Sequence, residues 1–204
     1  MERNRTKKGE LSRIRLLEAA TQQFALNGYF TTKISDIVKA AGLTQAAFYL
    51  YFPSKDAIFS ELVNEYRMRL KVLANAGSLV TPLPSSDVPE QVKENLKNLF
   101  LFLNASPELT KIALYDSPDS EQIKKEMMDM IIHNLRSNQE AGHVRKDLPI
   151  EVAAECMVAM LERMVTKIVN EETNPVSLAN DITDVILYGI LSHRKDDDHA
   201  KDCM

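Results

Sequence analysis

Residues 28–56 read GYFTTKISDIVKAAGLTQAAFYLYFPSKD, and the punctuation of this stretch decides the fold of the N-terminal third. Asn27-Gly28 is the stop expected at the C-terminus of a preceding helix, whose Leu16, Leu17, Ala20, Phe24 and Ala25 recur at helical spacing. Thr32 is the predicted N-cap of a short helix carrying Ile34, Ile37, Val38 and Ala41, which Gly42 ends. Thr44 caps a third helix from Gln45 to about Tyr51, closed by Pro53, and Ser54 caps a fourth. Asp56 lies in the first turn of that fourth helix, where the helix dipole favours an anion. Its apolar positions Ile58, Leu62, Tyr66, Leu70 and Leu73 keep a 3.6-residue period. Two short helices joined by Ala41-Gly42-Leu43-Thr44 make a helix-turn-helix over about residues 33–52. Its second helix is short enough to enter a major groove.

Base reading needs a recognition helix that is small or polar near its N-terminus, and Gln45, Ala46 and Ala47 meet that need behind the Thr44 cap. Phosphate contacts need hydroxyls, ammonium groups and helix N-termini. Thr31, Thr32, Lys33, Tyr49, Tyr51 and Lys55 supply these around the same helix. Tyr49 and Tyr51 fit a second role equally, as packing for a three-helix core, and Lys55 fits an ordinary surface lysine. Phe24, Ile34, Ile37, Val38, Leu43, Phe48 and Phe52 are the expected core.

Charge supports the division. Residues 1–71 hold 12 Lys and Arg against 7 Asp and Glu, whereas the rest of the chain holds 13 against 22. A basic N-terminal third can bind nucleic acid that the acidic remainder would repel. Arg3, Arg5, Lys7, Lys8, Arg13 and Arg15 give it a basic arm.

The same residues carry a resemblance. Gly28 to Ile37, then Ala40-Ala41-Gly42-Leu43-Thr44, then Phe48-Tyr49-Leu50-Tyr51-Phe52-Pro53-Ser54-Lys55-Asp56, resemble the N-terminal domain of the TetR family of bacterial transcriptional regulators. The segment Gly142-His143-Val144-Arg145-Lys146-Asp147-Leu148-Pro149, followed by two long apolar helices, is similar to the family's C-terminal pattern. Three positions depart from it: Ala46 where many members have glycine, Leu50 in place of a commonly polar residue, and Gln23 where leucine is frequent. The first two alter the groove-facing surface, so family analogy does not give the operator sequence. The resemblance implies an all-α chain: a helix-turn-helix DNA-binding domain over 1–56, then a linking helix and a helical effector-binding and dimerisation domain over 57–192. It implies a homodimer reading a pseudo-palindromic double-stranded operator, with a small molecule shifting the spacing of the two DNA-binding domains.

Beyond residue 75, the three prolines of 76–89 suggest a loop between the basic and acidic modules. Helices are expected near 90–105, 107–116, 119–140, 150–171 and 176–192, and no segment has the period of a strand. Val152, Cys156, Met160, Met164 and Ile168, with Ile182, Val185, Ile186, Gly189 and Ile190, form stripes that suit a four-helix interface between subunits. Gly189 would permit close backbone approach there. The alternative is that one stripe faces the subunit's own core. Methionine-rich segments suit an adaptable apolar pocket, or equally core filling, and the expected lining is Phe100, Leu103, Tyr115, Met127, Met130, His133, Met157 and Met160. Charges are sparse in Leu99–Leu103 and Cys156–Leu161, so an anionic effector would need a cation from Lys97, Lys111 or Arg163.

Other classes are excluded or kept as rivals. No run approaches the ~20 apolar residues of a membrane span, and the N-terminus has no apolar core of a secretion signal. Cys156 and Cys203 read as the reduced thiols of a cytoplasmic protein. Gly-x-Ser-x-Gly, a phosphate loop, His-Glu-x-x-His and Cys-x-x-Cys are all missing, which argues against an enzyme and against any cofactor or metal. The His193–His199 segment is expected to be part of a solvated tail over 193–204. The function expected is a sequence-specific DNA-binding repressor released by a small, mainly apolar effector. The rival is an architectural protein of the same fold without an effector.

Overall fold

The computed structural model describes residues 2–170 and 173–189, with the backbone alone for residues 2–8 and for Val169. It is helical throughout, without a strand among the described residues. Helix α1 (Glu2–Asn27) packs on α2 (Ile34–Ala41), and α3 (Gln45–Tyr49) follows the turn. Helix α4 (Lys55–Ala74) leaves this unit and runs into the second. There α5 (Val88–Ala105), α6 (Pro107–Lys111), α7 (Ser120–Glu140), α8 (Ile150–Val169) and α9 (Pro175–Tyr188) pack around it.

The turns behave as their residues require. Gly28 at φ 77° ends α1 and Gly42 at φ 65° ends α2, both in the left-handed region that a side chain disfavours. Thr44 and Ser54 accept the backbone N–H of Ala47 and Ala57, capping α3 and α4 as expected. The core of the first unit is Leu16, Ala20, Phe24, Ile37, Phe48, Phe52, Ile58 and Phe59, all buried. Phe59 of α4 stacks edge-on against Phe24 at 5.2 Å and lies 4.4 Å from the Tyr29 ring, so α4 is part of that core.

Several boundaries differ from the sequence reading. The basic arm is not separate from the first helix, since the backbone is helical from Glu2. Residues 76–89 are no free linker: a 3-10 turn over Asn75–Leu79 and buried Val80 pack this segment on α7. The expected helix over 107–116 splits into α6 and a wider π segment, closed by Ser117 N–H donating to Ile112 O at 2.7 Å. The last helix stops at Tyr188, because Gly189 takes φ 70°. Ile190 and the tail 193–204 lie outside the described residues.

Inter-helix ties are polar as well as apolar. Arg67 of α4 grips Glu126 of α7 with two guanidinium nitrogens, and Lys71 Nζ adds a contact at 3.2 Å. These cations, the Arg67 guanidinium foremost, hold the Glu126 carboxyl down at about 2 against the opposing pull of burial. Tyr66 donates to Thr110 at 3.1 Å, which donates on to Leu103 O, and burial pushes the Tyr66 phenol well above its ordinary range.

Candidate nucleic-acid interface and candidate effector cavity

The surface around α3 contains most of the expected DNA contacts. Thr31, Lys33, Thr44, Gln45, Ala46 and Tyr49 are exposed together, Tyr49 at 56%. Ala47 and Tyr51 are half-buried, and Phe48 points inward with no exposure at all. Helix α3 therefore offers Gln45 and Ala46 to a groove while Phe48 holds it to the core. Two exposed apolar residues went unassigned in the sequence reading: Phe30 at 86% and Leu50 at 80%. Both flank the same surface in sequence, and their low polarity is the reason a search for phosphate ligands passes over them.

Two expected contacts are corrected. Thr32 is buried, and its hydroxyl lies 2.9 Å from Gln23 O and 2.8 Å from Gly28 O, so it secures the end of α1 instead of facing DNA. The cap of α2 is accordingly Lys33, whose N–H donates to Asp36 Oδ2 at 3.0 Å. Lys55 reaches inward: its ammonium donates to Tyr29 O at 2.7 Å and Thr32 O at 2.9 Å, with Phe30 O at 3.4 Å. It also sits 4.5 Å from the Tyr29 ring centre, and the Tyr29 hydroxyl donates to Asp56. Lys55 thus pins the start of α4 to the loop that precedes the helix-turn-helix.

The second unit encloses a cavity of about 200 Å³ between α4, the 75–80 turn, α5, α7 and α8. Met127 and Met157 line it as expected. The other six assignments fail for separate reasons. Phe100 has no exposure and is core, and Leu103 borders a smaller void beside Leu114 and Val165. Tyr115 is on the surface, donating to Glu162 O at 3.1 Å. His133 is exposed, and Met130 and Met160 are half-buried away from the cavity wall. The polar lining comes instead from Asn95, Asn134, Asn138 and His143. The signal was present in α7, where Asn134 and Asn138 follow Met127 and Ile131 at helical spacing on a face that should be apolar. Lys97 and Lys111, considered as counter-charges, pair with Glu94 and Asp116, and Arg163 is exposed.

The expected interface stripes divide between surface and core. Val152, Cys156, Val185 and Gly189 are exposed, and Met164 is half-buried. Ile168 and Ile182 are buried in the subunit's own core, and Ile186 lines the cavity. Helix α9 turns Leu178, Ala179 and Ile182 inward and packs chiefly on α5, which claims half of its apolar face.

Residues 16–62 match the bacterial regulatory proteins of the tetR family. The chain is 37% identical over 190 residues to the HTH-type transcriptional regulator YdgC of Bacillus subtilis, covering 93% of this chain and 97% of that one. It is 20% identical to the fatty acid metabolism regulator protein of Bacillus subtilis over 87% of this chain and 94% of that protein. The crystal structure of Bacillus subtilis FadR in complex with stearoyl-CoA has the same fold, with a TM-score of 0.65 at 19% identity, covering 88% and 100% of the two chains. The TetR family regulator PfmR from Thermus thermophilus matches with a TM-score of 0.69 at 24% identity, over 87% and 100%. A helix-turn-helix built on these residues, and a full-length relative that shares it, make this chain a member of the TetR family of DNA-binding transcriptional regulators.

Proposed function

We propose that the protein is a repressor that binds a pseudo-palindromic operator as a two-fold dimer and leaves it when a small, mainly apolar effector occupies the cavity. The observation that carries this reading is the route of α4. Its first residue, Lys55, holds the loop before the helix-turn-helix, and its last turn, Leu73 and Ala74, forms part of the cavity wall. A ligand that displaces the C-terminal end of this helix acts on both units at once. The exposed Val152, Cys156, Val185 and Tyr188 of α8 and α9 are the surface offered to a second subunit. Several relatives are named repressors, including DhaR of a Mycobacterium strain and AcnR of Corynebacterium jeikeium, in keeping with this direction of control.

The test begins with selection of bound genomic fragments and continues with effector screening on the selected operator. Leu96→Trp fills the cavity from α5 without touching the DNA-facing surface. The expected result is operator binding that persists in this variant while release by apolar compounds is lost. Dispersed chromosomal sites and no release by any compound would instead assign the protein an architectural role.

A further inference from the structure

We infer that the cavity selects a small neutral molecule with an apolar body and a hydrogen-bond donor, of the phenol or short-chain alcohol class; this rests on the effector reading above. The argument is the hydrogen-bond inventory of the polar end of the cavity. Asn95 donates to Ala76 O at 2.9 Å and accepts from Gln91 at 2.8 Å. Asn138 donates to Gly77 O and Asn134 O and accepts from Thr81 at 3.2 Å. Asn134 donates to Ala74 O at 2.8 Å, which fixes the orientation of its amide and leaves Oδ1 without a partner. Asn134 is only 6% exposed, so this is a buried acceptor.

His143 repeats the pattern. Its Nε2 lies 3.3 Å from Thr81 O, an oxygen that can only accept, so Nε2 carries the proton. In the neutral ring Nδ1 is then an acceptor, and it too is buried without a partner. Both unpaired polar atoms at the cavity are therefore acceptors, while the amide donors beside them are already used. A buried acceptor without a donor is a standing cost, and a ligand O–H or N–H relieves it. A carboxylate or phosphate brings only further acceptors, with no Lys or Arg in the cavity wall to receive it. An ammonium ion would be buried with no carboxylate in that wall. Size narrows the class further. A dry cavity of ~150 Å³ holds a benzene ring, so the present cavity of about 200 Å³ suits one substituted ring or a short chain.

The probes are 4-ethylphenol, 4-ethylanisole and 4-ethylbenzoate, nearly matched in body and differing in head group: donor, acceptor only, and anion. A phenol stays neutral at pH 7.5, given an ordinary pKa of ~10. Calorimetric titration of the full chain is expected to show the phenol binding about tenfold tighter than the anisole, with the benzoate weakest. Asn134→Leu and His143→Phe should each reduce the phenol's advantage while anisole binding persists. Should a variant fail to fold, as judged by its thermal transition, the three-probe comparison on the unsubstituted protein still decides. Equal binding of phenol and anisole, or tightest binding by benzoate, overturns the donor requirement while leaving the cavity reading in place, provided Leu96→Trp abolishes binding of all three. If none of the probes binds at millimolar concentration, or if Leu96→Trp leaves binding unaltered, the effector cavity itself is refuted and the inference falls with it.

Discussion

Lys55→Met separates two roles that the sequence alone leaves open for this residue. As a phosphate ligand, Lys55 would contribute to DNA affinity and not to stability. The structure instead gives its ammonium two carbonyl acceptors within 3.0 Å and a third at 3.4 Å, across the junction between α4 and the loop before α2. Hydrogen bonds to a charged group contribute roughly 1.5–3 kcal/mol each when shielded, and contact with the Tyr29 ring face adds about 0.5 kcal/mol. Lys55 is half-buried, so water replaces part of these interactions in the variant, and a net destabilisation of about 2 kcal/mol is expected. Methionine keeps the apolar stem over Tyr29 and removes only the charge and the donors. Urea unfolding followed by circular dichroism measures the first quantity, and fluorescence anisotropy on labelled DNA across a salt series measures the second. The expected outcome is a lower unfolding midpoint with an unchanged slope of log affinity against log salt. Unchanged stability with a slope smaller by ~0.9 for each phosphate no longer neutralised would restore Lys55 to the DNA backbone and refute the pinning role.

Three further outcomes follow from the same geometry. Gln45→Ala should relax preference at one base pair by ~1–3 kcal/mol while nonspecific binding persists, measured against operator variants; equal losses on all sequences would remove Gln45 as a base reader. The Glu126 carboxyl titrates lower in the folded protein, at about 2, than in the unfolded chain, so its pairing stabilises above the ordinary carboxylate range and is lost as pH falls toward 2. Glu126→Gln should therefore cost about 1 kcal/mol at pH 7, after allowance for solvent screening, with a gap that narrows below pH ~4.3; a pH-independent gap contradicts the ion pair. Gly77→Ala would place a methyl 2.9 Å from Asn134 Cβ, a helix-bound atom with little freedom to yield, and should cost about 1–3 kcal/mol in thermal unfolding.

The DNA-binding unit was legible because its signals are local. Gly28, Gly42, Thr44 and Ser54 act within a few residues of themselves, and each sits where the chain turns as predicted. Thr32 and Lys55 were misread because their partners are distant in sequence: Gln23 nine residues away, Tyr29 twenty-six. A hydroxyl beside a helix start looks the same whether it faces solvent or a carbonyl of the preceding helix. The cavity was less legible for a related reason. Richness in methionine and aromatics signals apolar surroundings but not empty space, so Phe100 and Met127 look alike, and only one borders the void. Helix periodicity found the faces of α8 and α9, yet could not say which face a subunit keeps for itself. That was decided by α5, which covers Leu178, Ala179 and Ile182.

Helix α4 is what turns two legible halves into a regulator. Its 20 residues span about 30 Å, longer than either packed unit needs for its own core. Phe59 belongs to the aromatic cluster of the DNA-binding unit, Arg67 and Lys71 are fastened to α7 through Glu126, and Ala74 O receives the Asn134 amide. The last of these ties comes from the residue whose other amide atom is the unpaired acceptor in the cavity. In the proposed mechanism, a donor bound to Asn134 Oδ1 therefore pulls on the same side chain that holds the end of α4. A rigid helix converts a small shift there into displacement of the recognition helix, about 30 Å away. The energy required is modest: a tenfold loss of operator affinity needs ~1.4 kcal/mol of preference for the displaced state. One hydrogen bond to a formerly unsatisfied acceptor is of that size. The polar end of the cavity, not its larger apolar wall, is thus the place where ligand chemistry and helix position meet.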